Sequence, residues 1–218
     1  MSSDEPSQHG GRLYSPLVEA AIRLAARGHY NQFRKRDAEG VGASSIGSPL
    51  PDDHIPYITH LMGTMCILAR LGAADEVLAA AALHDYLEDV PDPDGPRRIR
   101  RVAGEQVLEL VLAVTEDKRP ELDRSETWKL RKREQLDHLA TMPTSAVLIK
   151  CADLLHNLSS LEKDLGEAAD PQTVWARFNA DRPQQMWYFS SIVNGARQRL
   201  GQHPLVDEIE RVLERLPE

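Results

Sequence analysis

Cysteine is scarce in this chain of 218 residues, and its two copies form no metal-binding or redox pair. Cys66 and Cys151 lie far apart in apolar, helix-like segments, and neither has the CxxC spacing. This disfavours a disulfide framework and a cysteine-ligated structural zinc site. We therefore expect two buried thiols in a cytoplasmic protein.

Long apolar runs and an excess of positive charge are also missing. No apolar stretch reaches 18 residues, and the polar N-terminus lacks the apolar core of a secretory signal, so we expect no membrane span. The chain has 26 Lys and Arg residues and 34 Asp and Glu residues, which gives a net charge of −8. This balance disfavours nucleic acid as a partner, although local basic clusters can still bind phosphates.

The sequence shows helical periodicity and no alternating strand pattern, which predicts an all-α fold. Among the expected helices, the third along the chain is capped by Asp75 and continues through "EVLAAAALHDYLED". A later basic helix is expected to be capped by Ser125. The predicted organisation is a flexible tail at 1–15, a main domain at 16–200 with a loop insertion at 37–54, and a C-terminal helix at 201–218 packed on that domain.

The stretch "AALHDYLEDV" carries an unusual density of polar groups at the end of an apolar helix. Positions four apart share a helix face, so His84 would align with Glu88 and Asp85 with Asp89. Carboxylates held so close together require a cation or a proton to offset their repulsion. The segment therefore predicts a metal site with acid–base groups beside it.

Two further segments place polar residues on apolar helices. His60 begins one of them, and Asp153 lies inside another with Asn157 one turn later. A buried carboxylate needs a partner. We predict that His60, His84, Asp85 and Asp153 bind one divalent cation, and this donor set suits Mn²⁺, Fe²⁺ or Zn²⁺.

Each piece taken alone also has an ordinary structural interpretation. A single histidine at a helix start is often a cap, and adjacent His-Asp pairs occur by chance. Asp153 could instead pair with a cation such as Arg70. Only the combination, in this order and on apolar helices, favours a metal site.

The order H…HD…D resembles that of the HD-domain metal-dependent phosphohydrolases, which implies an HD-domain helical bundle. Within that superfamily, "HDYLED", "IPYITH", "LIKCADLLHNL" and "ARGHYNQFRKR" are similar to the HDxxED, PYxxHP, LIKLADRLHNM and AHxGQxRKxG motifs of Rel/SpoT-type hydrolases. That family removes the 3′-pyrophosphate from guanosine tetra- and pentaphosphate (ppGpp and pppGpp). The similarity covers about residues 16–165, and the layout resembles stand-alone small alarmone hydrolases such as the metazoan SpoT homologue.

The resemblance implies a role for each matching residue. His60, His84, Asp85 and Asp153 would bind one Mn²⁺ per chain, and Glu88 and Asp89 would be catalytic by orienting or activating the attacking water. The substrate, a small nucleotide, would be bound by seven residues: Arg27, Arg34, Lys35, Lys129, Arg131, Lys132 and Asn157. For the basic run at 129–132, a solvated helix face is an equally good interpretation.

The chain departs from the family pattern at four places. Leu61 replaces a proline, Tyr86 a small residue and Ser159 an arginine, and the insertion at 37–54 displaces a glycine. None is a proposed metal ligand, so the metal chemistry is better supported than the substrate.

Three alternatives therefore stay open. The same site could act on (p)ppApp or on the 2′-phosphate of NADPH, the chain could be another HD nucleotide phosphohydrolase, or it could be a metal-bound binding or antitoxin module. The oligomeric state is also open, a homodimer included.

Overall fold

The computed structural model describes residues 13–34, 55–119 and 122–217, without the side chains of residues 124 and 125. Lys35, the insertion at 37–54 and residues 1–12 of the expected tail lie outside the described residues. Within the described residues the chain is all-α, as predicted, with one isolated bridge between Phe33 and Pro56. The helices are α1 (Pro16–Gly28), α2 (Ile58–Arg70), α3 (Asp75–Leu83), α4 (Tyr86–Asp89), α5 (Gly95–Ala103), α6 (Glu105–Val114), α7 (Arg124–Leu139), α8 (Thr144–Glu167), α9 (Pro171–Trp175), α10 (Arg182–Leu200) and α11 (Pro204–Arg215).

Two helices form the centre of the bundle. The alanines at 79–82 of α3 are fully buried, and their small side chains allow α1, α2, α6 and α8 to pack closely around this helix. The long helix α8 packs against α2, α6, α10 and α11 and buries an apolar stripe. The site residues are therefore carried on elements fixed by the core. The domain boundaries at 16–200 and 201–218 stay predictions.

The prediction of one continuous helix through residues 75–89 is wrong, because the helix is interrupted between α3 and α4. The backbone of Asp85 has φ −97° and ψ 0°, and α4 begins at the next residue. This conformation interrupts the helical hydrogen-bond ladder and turns the residues on either side of the break differently. The face-sharing argument for His84 with Glu88 and for Asp85 with Asp89 therefore does not apply.

The sequence pattern does not predict α5, because the helix begins within the stretch "PDPDGP", which is typical of a break in the chain. Pro96 lies in the first turn of α5, where a missing N–H costs nothing. Gly104, at φ 89°, ends the helix. The result is a short helix rich in arginine that packs on α1 and α6.

Two predicted caps are also wrong. The N-cap of α3 is Ala74, so Asp75 is already the first helical residue. The helix α7 begins at Arg124, and its second residue is Ser125; an Asp123 carboxylate oxygen accepts from the Glu126 N–H at 3.2 Å. Asp123, the residue directly before α7, does the capping instead.

The two cysteines differ in burial. Cys151 is buried, as expected, whereas Cys66 is exposed on α2, so the prediction of two buried thiols is half wrong. Both are free thiols. A search of the described residues found no helix with the length and apolar character that a membrane span requires.

Candidate metal centre and catalytic cleft

Four side chains from three helical regions converge at the break between α3 and α4. One ligand atom each of His60, His84 and Asp85 lies within 4.8 Å of the others. An Asp153 oxygen, from α8, is 3.2 Å from His60 Nε2 and 3.7 Å from His84 Nε2. The break at Asp85 brings its carboxylate to 3.2 Å from His84 Nε2.

The imidazole of His84 is oriented as a ligand. Its Nδ1 lies 2.8 Å from the carbonyl oxygen of Ala81, which only accepts, so Nδ1 donates. When the ring is neutral, the lone pair is on Nε2, which faces the carboxylates of Asp85 and Asp153 at 3.2 and 3.7 Å. A backbone carbonyl that fixes the tautomer in this way is a common support for metal-binding histidines. The donor set fits a divalent cation.

The electrostatics of the cluster lead to the same requirement for positive charge. Burial lowers the pKa of His84, but Asp85 and Asp153 outweigh burial and raise that pKa well above its ordinary value. Burial likewise opposes ionisation of Asp153, yet Lys150 and the two histidines hold its pKa well below the ordinary range. Two largely but not fully buried carboxylates thus require a proton or a cation between the imidazoles.

Tyr57, which the sequence interpretation did not assign, connects the metal cluster to the acid pair. Its hydroxyl donates to Asp85 Oδ2 at 2.6 Å and lies 3.3 Å from Asp89 Oδ2. Burial, followed by the charge of Asp85, raises the pKa of Tyr57, so the phenol stays protonated. The signal was present in the motif "IPYITH", because this tyrosine precedes His60 by three residues.

The two predicted catalytic acids lie beside the cluster, each bound to Lys118. Glu88 accepts from the Glu116 N–H at 2.7 Å and lies 3.3 Å from Lys118 Nζ. The same ammonium binds a carboxylate oxygen of Asp89. Burial, then the charge of Asp85, raises the pKa of Glu88. Lys118 was missed because it lies after the end of α6, in a segment without helical periodicity.

The predicted phosphate-binding residues on α7 separate into two groups. Arg131 and Lys132 line the cleft and pair with the buried carboxylate of Glu116, with Lys132 Nζ at 2.7 Å. Lys129 is exposed and is not part of the cleft lining. The interpretation as a solvated helix face therefore applies to Lys129, whereas Arg131 and Lys132 line the cleft.

On the α8 side, Asn157 bridges the metal cluster and Arg34. Its amide donates to Asp153 Oδ1 at 2.6 Å, and its oxygen accepts from Arg34 at 2.9 Å. Arg34 reaches the cleft because its N–H bonds to the carbonyl of Ile55 at 2.9 Å, which holds this segment beside the start of α2.

Arg27 is not brought to this cleft. It lines a separate cavity between α1 and α5. Tyr86, one of the departures from the family pattern, lines the same cavity and takes no part in the metal cleft.

The cleft has a volume of about 340 Å³ and combines an acidic floor with a basic wall. It is lined by Arg34, Tyr57, His60, Asp85, Glu88, Asp89, Glu116, Lys118, Arg131, Lys132, Gln135, Lys150, Asp153 and Asn157. Such an arrangement places cations around a site for a polyanionic ligand and places carboxylates where a metal and a water would sit.

Comparison with known proteins agrees with this geometry. A model described as "HD domain" matches residues 41–186. The chain therefore belongs to the HD domain family. The clustered His60, His84 and Asp85 of this HD domain imply a divalent metal.

Within that family the chain is similar over most of its length to proteins named guanosine-3′,5′-bis(diphosphate) 3′-pyrophosphohydrolase MESH1. The protein of Danio rerio is 32% identical over 178 residues, 81% of this chain and 82% of the relative. That of Homo sapiens is 35% identical over 156 residues, 70% and 73% of the two chains. A solved structure of a metazoan orthologue of SpoT, described as hydrolysing ppGpp and acting in starvation responses, matches with a TM-score of 0.68 at 25% identity, covering 94% of this chain and 97% of that one. The resemblance to Rel/SpoT-type hydrolases is confirmed.

Proposed function

We propose that this protein is a metal-dependent phosphohydrolase that removes the 3′-pyrophosphate from ppGpp and pppGpp. One observation supports this above all: His60, Asp85 and Asp153 line a single cleft together with the acid pair and the basic wall, and a His84 ligand atom lies within 4.8 Å of those of His60 and Asp85. The relatives named for this reaction cover most of the chain. We further propose Mn²⁺ as the bound ion, since two imidazoles and two carboxylates suit Mn²⁺, with Fe²⁺ or Zn²⁺ as the nearest alternatives.

In this proposal, His60, His84, Asp85 and Asp153 hold the cation, which when bound lowers the pKa of a coordinated water and screens phosphate charge. Glu88 and Asp89 accept the proton of the attacking water and position it. The water oxygen forms a bond to the phosphorus that carries the 3′-oxygen. The bond between this phosphorus and the 3′-oxygen breaks, and the 3′-oxygen leaves and gains a proton. The products are the 5′-phosphorylated guanosine nucleotide and pyrophosphate.

The remaining residues of the cleft bind and orient the polyanionic substrate. Arg131 and Lys132 offset its phosphate charge on the α7 side, and Lys118 does so next to the acids. On the α8 side, Arg34 and Asn157 form a polar pair for the nucleoside end. A substrate contact of Lys35 rests on the resemblance alone, and Arg27 and Lys129 do not line this cleft.

The test is a hydrolysis screen of the purified protein with each metal over ppGpp, pppGpp, ppApp, NADPH and dNTPs. We expect the guanosine alarmones to give the highest kcat/KM with Mn²⁺. Preference for ppApp, for NADPH or for dNTPs would replace the proposed substrate, and activity on none of them would favour a binding module.

The metal assignment is tested separately by metal analysis. We expect one divalent ion per chain, lost in Asp153→Ala and retained in Asp137→Ala, an exposed acid on α7. Unchanged metal content in Asp153→Ala would overturn the ligand set. The cytoplasmic location and a homodimer stay predictions, and light scattering tests the second.

A further inference from the structure

A second cleft lies between α1 and α5, beside Tyr86 and the segment that follows α4. Its volume is about 510 Å³, and none of its lining residues lines the catalytic cleft. Tyr86 forms part of its wall, and Leu24, Val90 and Val102 add apolar surface. Because a Cβ at Gly28 would come within 2.6 Å of the Tyr86 ring, this glycine is what allows α1 to approach α4 here.

The charge of this cleft is unlike that of the whole chain. Four arginines and one aspartate line it, in a protein of net charge −8. The carboxylate of Asp92 is already occupied, since Arg98 Nε donates to it at 2.6 Å and the Tyr86 hydroxyl at 3.0 Å. The Asp94 N–H donates to its other oxygen at 3.1 Å. The single acid therefore does not neutralise the remaining arginines.

Most arginines of α1 and α5 are paired locally. The pairs are Arg23–Glu19, Arg97–Asp94, Arg98–Asp92 and Arg100–Glu105. Arg27 and Arg101 have no such partner among the described residues, and both line the same cleft. Two guanidinium groups that line one cavity without a carboxylate partner among the described residues suit an anion, because each presents a fork of donors that matches phosphate oxygens.

We propose that this cleft binds a phosphate-bearing small molecule, with Arg27 and Arg101 as the phosphate ligands. The volume accommodates a molecule of nucleotide size, and the apolar wall beside Tyr86 would contact its uncharged part. The proposal is independent of the reaction in the catalytic cleft. It also gives Arg27 a role different from the substrate contact that the family resemblance implies.

Calorimetric titration of the whole protein with inorganic pyrophosphate tests this site, at low salt where phosphate contacts are strongest. We expect two binding events. Arg101→Ala should weaken one of them by roughly tenfold or more, the loss of one charge-assisted contact, and Arg27→Ala should weaken the same event. The control is Arg100→Ala, which removes the same charge from the adjacent position but does not line the cleft.

Lys132→Ala distinguishes the two clefts, because Lys132 lines only the catalytic cleft and its loss should weaken binding only there. An event that persists in Lys132→Ala and is lost in Arg101→Ala supports the proposal. A single event that Lys132→Ala abolishes and Arg101→Ala leaves unchanged places all binding in the catalytic cleft and overturns it. Circular dichroism confirms folding, and Arg27→Ala gives the second measurement if Arg101→Ala does not fold.

Discussion

The Nδ1 atoms of His60 and His156 lie 3.0 Å apart, with the two rings edge to face. Arg34, which only donates, also approaches His156 Nδ1, at 3.3 Å. That nitrogen is therefore an acceptor, and a neutral His60 must donate to it from Nδ1. The lone pair of His60 is then on Nε2, which faces Asp85 and Asp153. His156 thus orients a histidine of the candidate metal cluster.

The first prediction follows from this contact. His156→Ala removes the acceptor that fixes the tautomer of His60, so metal affinity should fall by about 10- to 100-fold. Competition with a chelator measures it, and His138→Ala, an exposed histidine on α7, is the control. Equal affinity in both variants would mean that His156 has no part in orienting His60.

Sequence reasoning found the members of the cluster but not their supports. His60, His84, Asp85 and Asp153 were predictable because imidazoles and carboxylates on apolar helices are conspicuous. His156 was not, because whether a histidine of α8 turns toward α2 depends on the packing of two helices. Lys118 was missed for a related reason, since its pairing with Glu88 depends on the path of the segment after α6. The break at Asp85 leaves no trace in hydrophobic periodicity.

Gly63 determines how closely α2 approaches His156. A Cβ at this position would lie 2.2 Å from the imidazole, so Gly63→Ala forces the ring or the helix to move. Overpacking of this kind costs about 1–3 kcal/mol of unfolding free energy, and the displaced His156 should also weaken metal binding. Denaturant unfolding and metal competition measure the two effects.

The matched control for that change is Gly166→Ala in α8, where nothing lies within 4 Å of the new methyl group. There we expect a gain of up to about 1 kcal/mol from helix propensity, with metal affinity unchanged. If both glycine variants behave alike, the close approach of α2 to His156 is not required.

The acid pair should be separable from the metal ligands. The double variant Glu88→Gln, Asp89→Asn keeps the size of both side chains but removes their basicity, so turnover should fall by roughly 10²- to 10⁴-fold while the metal stays bound. Steady-state kinetics and metal analysis are both needed. Near-normal turnover would show that the two acids are only solvated residues at the end of a helix. The control is Glu109→Gln, which removes one charge from an exposed position on α6.

Glu116 anchors the basic wall by accepting from Arg131, Lys132 and Gln135. Burial raises its pKa, but Lys132 and Arg131 outweigh burial and lower it below the ordinary value. A lowered carboxylate pKa stabilises the fold above the ordinary glutamate pKa, and that contribution disappears as the pH falls toward the folded pKa. Glu116→Gln should therefore cost about 3 kcal/mol at neutral pH, and progressively less below a pH of about 4.5.

Urea unfolding at a series of pH values measures that cost. Glu105→Gln is the control, because Glu105 pairs with Arg100 on the exposed surface and should contribute little at any pH. A cost for Glu116→Gln that does not change with pH would show that the ion pairs are not its source.

Lys118 should set the pH at which the acid pair becomes active. Its ammonium lies 3.3 Å from Glu88 and lowers the pKa of that carboxyl, against the larger effect of burial, which raises it. Lys118→Met removes the lowering contribution, so the pKa of Glu88 rises further. Because the base must be ionised to accept a proton, the acid limb of kcat/KM should move to higher pH, while activity on the alkaline side falls less.

The control variant Lys118→Arg keeps the positive charge and should leave the acid limb near its original pH. A purely steric role of Lys118 does not predict this result. An acid limb that stays in place in Lys118→Met would mean that Glu88 is not the base whose ionisation limits the reaction.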